Sequence, residues 1–177
     1  MNLPNKITIA RIILTIVFAV LALIPLANGL LYAAAVFAIA AVSDFVDGYL
    51  ARRRNLISSF GKFMDPLADK ILVISALLIL VSLGRFPVWA AIIIVCRDFA
   101  VDGLRFIAAE KGVVISASRW GKFKTMTQMI TVFLLLVMDI FPFVWYTVLC
   151  QIAIVLAVVL TVVSGAIYLY NGREFYR

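Results

Sequence analysis

Two long stretches without charge constrain this chain most. No Asp, Glu, Lys or Arg occurs between Ile12 and Ser43 or between Ile140 and Gly172. Each stretch exceeds the roughly 20 apolar residues that cross a bilayer as a helix. Of the 177 residues, 66% are hydrophobic and 14% are charged, whereas a soluble domain is about half apolar and about a quarter charged. The sequence therefore predicts an integral membrane protein and excludes a soluble globule.

The apolar runs are continuous, which favours helices over a transmembrane barrel of alternating strands. At about 20 residues a span, the length allows six helices and almost no soluble domain. Pro25 and Asn28-Gly29 divide the first stretch into two helices. We predict an all-α membrane protein with a single domain over residues 1–177 and six transmembrane helices. The first four helices are expected at about 4–24, 30–53, 61–82 and 87–110. The fifth would run from a cap at Ser116 or Ser118 to near Asp139, and the sixth would span about 143–170.

Lys and Arg are distributed unevenly over the predicted helix ends. The three connections on one side contain only Arg85, whereas the opposite ends hold 14 of the 16 basic residues. By the positive-inside rule, both termini and any site at those ends face the cytoplasm. The same rule explains the net charge of +7 without a nucleic-acid partner. The absence of His and the isolation of Cys96 and Cys150 argue against zinc and redox motifs.

Aromatic residues near the helix ends fit the two membrane interfaces, where amphipathic rings are enriched. We expect the outer belt to contain Phe141, Phe143, Trp145 and Tyr146, and the inner belt to contain Tyr168, Tyr170, Phe175 and Tyr176.

Four of the nine acidic residues lie between positions 44 and 69. Asp44 and Asp47 are spaced i, i+3, and Asp65 and Asp69 are spaced i, i+4, so each pair shares one helical face. A short connection makes the two helices antiparallel neighbours, which brings the four carboxylates together below the cytoplasmic interface. Neighbouring Arg and Lys residues could instead neutralise them in a salt-bridged hairpin. Oxygen-only ligands suit two Mg²⁺ or Mn²⁺ ions, which can stabilise the attacking and leaving oxygens of a phosphoryl displacement.

The glycines and spacing around these aspartates form a longer pattern, Asp44-x-x-Asp47-Gly48-x-x-Ala51-Arg52, then eight residues, then Gly61-x-x-x-Asp65-x-x-x-Asp69. It resembles the signature of the CDP-alcohol phosphotransferase family. The resemblance implies six helices, a cytoplasm-facing cavity, a homodimer in the cell membrane, and transfer of a phosphoryl-containing group from a CDP-linked donor to an alcohol with release of CMP.

The same resemblance implies roles for individual residues. Asp44, Asp47, Asp65 and Asp69 would hold two divalent cations, and Asp69 would also be the base that deprotonates the acceptor hydroxyl. The residues implied in binding the CDP portion of the donor are Asn5, Thr8, Gly48, Arg52, Ser58 and Gly61.

Two further segments bear on the acceptor, Arg97-Asp98 through Leu104-Arg105 and Gly121-Lys122-x-Lys124-Thr125-x-x-Gln128. They resemble the branch of the family that transfers the phosphatidyl group of CDP-diacylglycerol to sn-glycerol 3-phosphate. A phosphate on the acceptor would fit the start of the fifth helix, where the dipole favours an anion. The residues we assign to it are Arg105, Arg119, Lys122, Lys124 and Thr125.

Several readings stay open at this stage. Each of those basic residues could serve only the positive-inside topology. Arg105, with Asp98 and Asp102 on the same helical face, fits an internal ion-pair network as well as an acceptor pocket, and the partner of Arg97 cannot be read from the sequence. The acceptor could be inositol phosphate, serine or another phosphatidylglycerol. A small cation transporter would also use aspartates, but it leaves the spacing of Gly48, Ala51, Arg52 and Gly61 unexplained.

Overall fold

The computed structural model describes residues 3–54, 59–110 and 119–171. In these ranges the chain forms helices and turns without a β-strand, so the helical fold class is confirmed. The helices are α1 (Leu3–Leu23), α2 (Gly29–Arg54), α3 (Ser59–Ser82), α4 (Val88–Glu110), α5 (Arg119–Leu136) and α6 (Val144–Asn171), with a 3-10 turn at Met138–Ile140 before α6.

The predicted division of the first apolar stretch is confirmed. Asn28 adopts a left-handed φ of 64°, a conformation that Asn tolerates better than most residues. Gly29 follows it because a Cβ there would lie 2.8 Å from the carbonyl oxygen of Leu21. The chain therefore reverses direction in five residues, and α2 begins against the end of α1.

The fifth helix differs from its prediction at the carboxyl end. The α-helix stops at Leu136, and a 3-10 turn takes the chain towards Asp139 and Pro142. The amide of Ile140 donates to the carbonyl oxygen of Val137 at 3.0 Å, which is the shorter spacing of a 3-10 turn. The proposed caps Ser116 and Ser118 lie outside the described residues.

One helical segment in the described ranges, Val144–Tyr170 of α6, is long and apolar enough to cross a membrane, with a mean hydropathy of 2.7. Shorter apolar segments occur at Ile9–Leu23, Gly29–Ser43 and Lys70–Ser82. Each of these three helices carries charged residues at the end where the predicted cytoplasmic face begins, which shortens its apolar part.

Two of the aromatic belt predictions are wrong. Tyr146 and Tyr168 are each 5% exposed, so their rings belong to the protein interior. Phe141, Phe143 and Trp145 are exposed in the predicted outer belt, and Tyr170 is exposed in the predicted inner belt. Phe175 and Tyr176 lie outside the described residues.

The described residues up to Leu83, together with Val132–Phe141, form one compact unit. In this unit α1 packs against both α2 and α3. The ring of Phe18 on α1 contacts that of Phe37 on α2, with centroids 5.8 Å apart. The buried alanines Ala33 and Ala40 flank Phe37 along α2, and such small residues let helices approach closely in a membrane.

The second unit contains Gly84–Thr131 and the described residues from Pro142 onward. Here α4 packs against α6. Thr131 joins α5 to α6, because its hydroxyl hydrogen-bonds the carbonyl oxygens of Thr127 at 2.8 Å and Ala153 at 3.1 Å. The second unit therefore brings three helices together around polar groups.

Candidate functional site

The four aspartates occupy helical positions in the first unit, as predicted. Asp44 and Asp47 lie in the second half of α2, and Asp65 and Asp69 lie in the first half of α3. Their side chains fall outside the described part of the structure. The same holds for the side chains of the donor-binding candidates on α1, α2 and α3, which are Asn5, Thr8, Gly48, Arg52 and Gly61. Ser58 is not among the described residues.

The second unit holds a basic cluster formed by Arg97, Asp98, Arg105, Lys124 and Tyr168. Lys124 on α5 donates to both carboxylate oxygens of Asp98 on α4, at 2.7 Å to Oδ1 and 2.6 Å to Oδ2. Arg97 donates from Nη1 to Oδ1 of the same carboxylate at 3.0 Å. Asp98 therefore links two cations from different helices.

Tyr168 on α6 connects the remaining members of the basic cluster. The guanidinium carbons of Arg97 and Arg105 lie 5.6 Å and 5.3 Å from its ring centroid, which is within the range of cation–π attraction. Nη2 of Arg105 also donates to the phenolic oxygen at 2.7 Å. The tyrosine thus positions two arginines that lie two turns apart on α4.

The basic cluster is partly buried and has spare donors. Lys124 is 3% exposed, and the side chains of Arg97 and Asp98 are 14% and 17% exposed. Three buried nitrogens of the basic cluster make no hydrogen bond, Nε and Nη2 of Arg97 and Nε of Arg105, and neither does Nε2 of Gln128, which lies one turn beyond Lys124 on α5. Buried donors without acceptors are costly, especially when charged. The arrangement is therefore suited to an anionic ligand that accepts several hydrogen bonds.

The structure brings together two of the five residues predicted to bind the acceptor phosphate, Arg105 and Lys124. Lys122 is exposed on the opposite face of α5, away from the basic cluster. Thr125 is half-buried, and its hydroxyl donates to the carbonyl oxygen of Gly121 at 3.1 Å. Arg119 begins α5, but its side chain is outside the described part.

The described contacts show which partners Asp98 and Arg105 have on other helices. The carboxylate of Asp98 binds Arg97 and Lys124, whereas the described hydrogen bond of Arg105 goes to Tyr168. Tyr168 was missed as a site residue because its sequence position fits an interface belt equally well. Three residues earlier, Ser164-Gly165-Ala166 is a run of small residues in α6, which is typical of a close helix contact.

Gly165 is required by the position of Arg97. A Cβ at residue 165 would lie 2.9 Å from Cγ of Arg97 and 3.7 Å from its Nε. The arginine stem therefore crosses α6 at the point where that helix lacks a side chain. This contact explains why residue 165 is a glycine.

Comparison with known proteins identifies the class. Residues 1–163 match the sequence profile of the CDP-alcohol phosphatidyltransferase family, and the chain belongs to this membrane-bound family. It is 44% identical, over 98% of its length and 96% of the relative's, to a protein of Bacillus subtilis named CDP-diacylglycerol--glycerol-3-phosphate 3-phosphatidyltransferase. Proteins of the same name in Rickettsia typhi and Mycoplasma pneumoniae are 36% and 41% identical, covering 99% and 74% of this chain and 99% and 66% of the relatives.

Proposed function

We propose that this protein transfers the phosphatidyl group of CDP-diacylglycerol to sn-glycerol 3-phosphate, giving phosphatidylglycerophosphate and CMP. The observation that carries the choice of acceptor is the partly buried basic cluster, which has three buried nitrogens without hydrogen bonds and a fourth on Gln128, one turn along α5 from Lys124. Relatives that carry the name of this reaction match nearly the whole chain, which supports the same proposal.

The acceptor phosphate would bind at the basic cluster. Arg97 and Lys124 share the carboxylate of Asp98 in the described contacts, and Arg105 adds a third positive charge beside Tyr168, so an added phosphate improves the charge balance. Guanidinium groups hold phosphate oxygens in a forked geometry, and Nε and Nη2 of Arg97 are both available for this. Serine brings no phosphate and would leave these donors unmatched. The phosphate-bearing alternatives remain for the assay to separate.

The donor set on α2 and α3 fits two hard divalent cations, because all four candidate ligands are carboxylates. We assign Asp44, Asp47, Asp65 and Asp69 as the ligands of Mg²⁺ or Mn²⁺. When bound, such ions neutralise the pyrophosphate of the donor and make CMP a better leaving group. Asp69 takes the proton from the acceptor hydroxyl as it attacks. The CDP portion of the donor is held by Asn5, Thr8, Gly48, Arg52, Ser58 and Gly61.

The proposal includes a membrane arrangement. All six helices span the bilayer within one domain over residues 1–177, both termini and the catalytic aspartates face the cytoplasm, and the protein works as a homodimer. The uneven distribution of Lys and Arg supports this orientation, and the apolar length of α6 supports at least that span. The acyl chains of the donor would then stay in the bilayer while its head group reaches the aspartates.

The test is CMP release by the purified protein in detergent with CDP-diacylglycerol and Mg²⁺ or Mn²⁺. Radiolabelled sn-glycerol 3-phosphate, inositol phosphate, serine and phosphatidylglycerol are supplied in turn. We expect turnover with sn-glycerol 3-phosphate and none after chelation of the metal. No use of sn-glycerol 3-phosphate would reject the proposed acceptor.

The role of Asp69 is tested by Asp69→Asn, which removes the base and should abolish turnover. The matched control is Asp139→Asn, since Asp139 is exposed at the 3-10 turn and outside the proposed machinery. Substantial residual activity in Asp69→Asn would disprove its role as the base.

A further inference from the structure

The first helix carries an arginine in its buried face. Arg11 is 3% exposed, as is Thr15 one turn later, and Phe18 is fully buried. The three residues are spaced i, i+4 and i+7, so they form one stripe along α1. Since α1 packs against both α2 and α3, this stripe places a guanidinium inside the first unit.

The contact between Phe18 and Phe37 sets the register of α1 against α2. A five-residue connection joins the two helices, so they run antiparallel. Seven residues are close to two full turns, or about 10 Å, and return to nearly the same helical face. Seven residues before Phe18 is Arg11, and seven residues after Phe37 is Asp44. The backbone positions of Arg11 and Asp44 are therefore level with each other on facing sides.

The buried face of α2 supports the same register. Ala33, Phe37 and Ala40 are at most 1% exposed, and their spacing of four and then three residues follows one helical stripe. A further step of four residues reaches Asp44. The stripe on α2 that meets α1 thus leads to the first proposed metal ligand.

We propose that Arg11 is a positioning residue that pairs with the carboxylate of Asp44. A buried guanidinium is tolerated in a protein interior only when its charge is compensated, and Asp44 is the acidic position that the register brings opposite it. The paired arginine would orient one ligand oxygen and reduce repulsion among the four carboxylates. The role of Asp44 as a ligand rests on the proposed function, whereas the pairing itself does not.

The pairing is tested by thermal unfolding in detergent and EDTA, which removes any contribution from metal. Breaking a buried pair by Arg11→Met should lower the melting temperature on the order of 10 °C. The double variant Arg11→Met/Asp44→Asn leaves neither partner of the pair charged. Its melting temperature should therefore lie well above the value expected from adding the two single losses. Thr15→Val, in the same buried stripe, is the control for packing. Additive losses in the double variant would overturn the pairing.

The positioning role is tested by Mn²⁺ binding, followed by electron paramagnetic resonance in the absence of substrate. Loss of a group that orients a metal ligand typically weakens metal binding about 10- to 100-fold, and we expect this of Arg11→Met. Arg11→Lys keeps the charge and should bind Mn²⁺ more tightly than Arg11→Met, whereas Thr15→Val should match the wild type.

The outcomes separate the two proposals. If Asp44→Asn loses Mn²⁺ and Arg11→Met does not, or if Arg11→Lys and Arg11→Met bind it equally, the positioning role is wrong and the metal site stands. If the wild type binds no Mn²⁺, or Asp44→Asn binds it unchanged, the proposed metal site fails, and the unfolding cycle still decides the pairing. If Arg11→Met does not fold, thermal unfolding and Mn²⁺ binding are measured on Arg11→Lys and on the double variant Arg11→Met/Asp44→Asn instead.

Discussion

The substitution Gly165→Ala tests whether binding of the acceptor depends on the position of Arg97. The added Cβ would lie 2.9 Å from Cγ of Arg97, whereas carbon atoms pack comfortably at about 3.5–4.0 Å. The stem of Arg97 must therefore move by roughly 1 Å to restore an ordinary contact. Cγ lies near the backbone of α4, so the displacement carries the guanidinium with it.

The size of the effect follows from the contacts of that guanidinium. Nη1 of Arg97 lies 3.0 Å from Oδ1 of Asp98, and a further 1 Å or so exceeds the hydrogen-bonding range. The same displacement would take the spare donors of Arg97 out of hydrogen-bonding range of a bound phosphate. A hydrogen bond to a charged group contributes about 1.5–3 kcal/mol, which corresponds to roughly 10- to 100-fold in binding. Helix propensity alone would make the variant more stable to unfolding, since alanine is better than glycine by about 1 kcal/mol in a helix interior.

The assay is CMP release at varied sn-glycerol 3-phosphate and saturating CDP-diacylglycerol. We expect kcat/KM for the acceptor to fall about 10- to 100-fold in Gly165→Ala, with KM for the donor little changed. Gly103→Ala is the matched control, because Gly103 also lies inside a helix and a Cβ there would meet nothing within 4 Å. Equal acceptor kinetics in the two variants would refute the reasoning.

Two further substitutions probe the basic cluster. Tyr168→Phe keeps the ring but removes the 2.7 Å hydrogen bond to Arg105, so KM for sn-glycerol 3-phosphate should rise about tenfold; an unchanged acceptor titration would contradict this. Lys124→Met removes a buried partner of Asp98 and should lower both the melting temperature and acceptor use, whereas Lys122→Met, at an exposed position, should alter neither. Similar losses in the two lysine variants, measured side by side, would place the phosphate elsewhere on α5.

The helices could be predicted from sequence because the signals for them are local. Apolar runs gave their lengths, and Asn28-Gly29 marked the reversal that the left-handed φ of Asn28 confirms. The end of α5 was predicted too late because Met138 and Ile140 continue the apolar pattern. An apolar pattern does not distinguish the last turn of an α-helix from a 3-10 turn.

The basic cluster could be predicted only in part, for a related reason. Arg105 and Lys124 belong to motifs that local sequence displays, so they were identified. Tyr168 lies 63 residues from Arg105 in the chain, and no spacing within α6 reveals that contact. A tyrosine near the end of an apolar helix is typical of a membrane interface, and only its 5% exposure separates the two roles.

Buried charge in this protein is arranged in a way that favours binding over stability. A single carboxylate can pair bidentately with a buried arginine and compensate its charge. In the basic cluster, Lys124 takes both oxygens of Asp98, while Arg97 retains two buried nitrogens without hydrogen bonds. Such incomplete satisfaction costs folding energy. Its persistence is reasonable if an anionic ligand completes the network, which is why acceptor binding should raise the melting temperature of the wild type and do so less in Gly165→Ala.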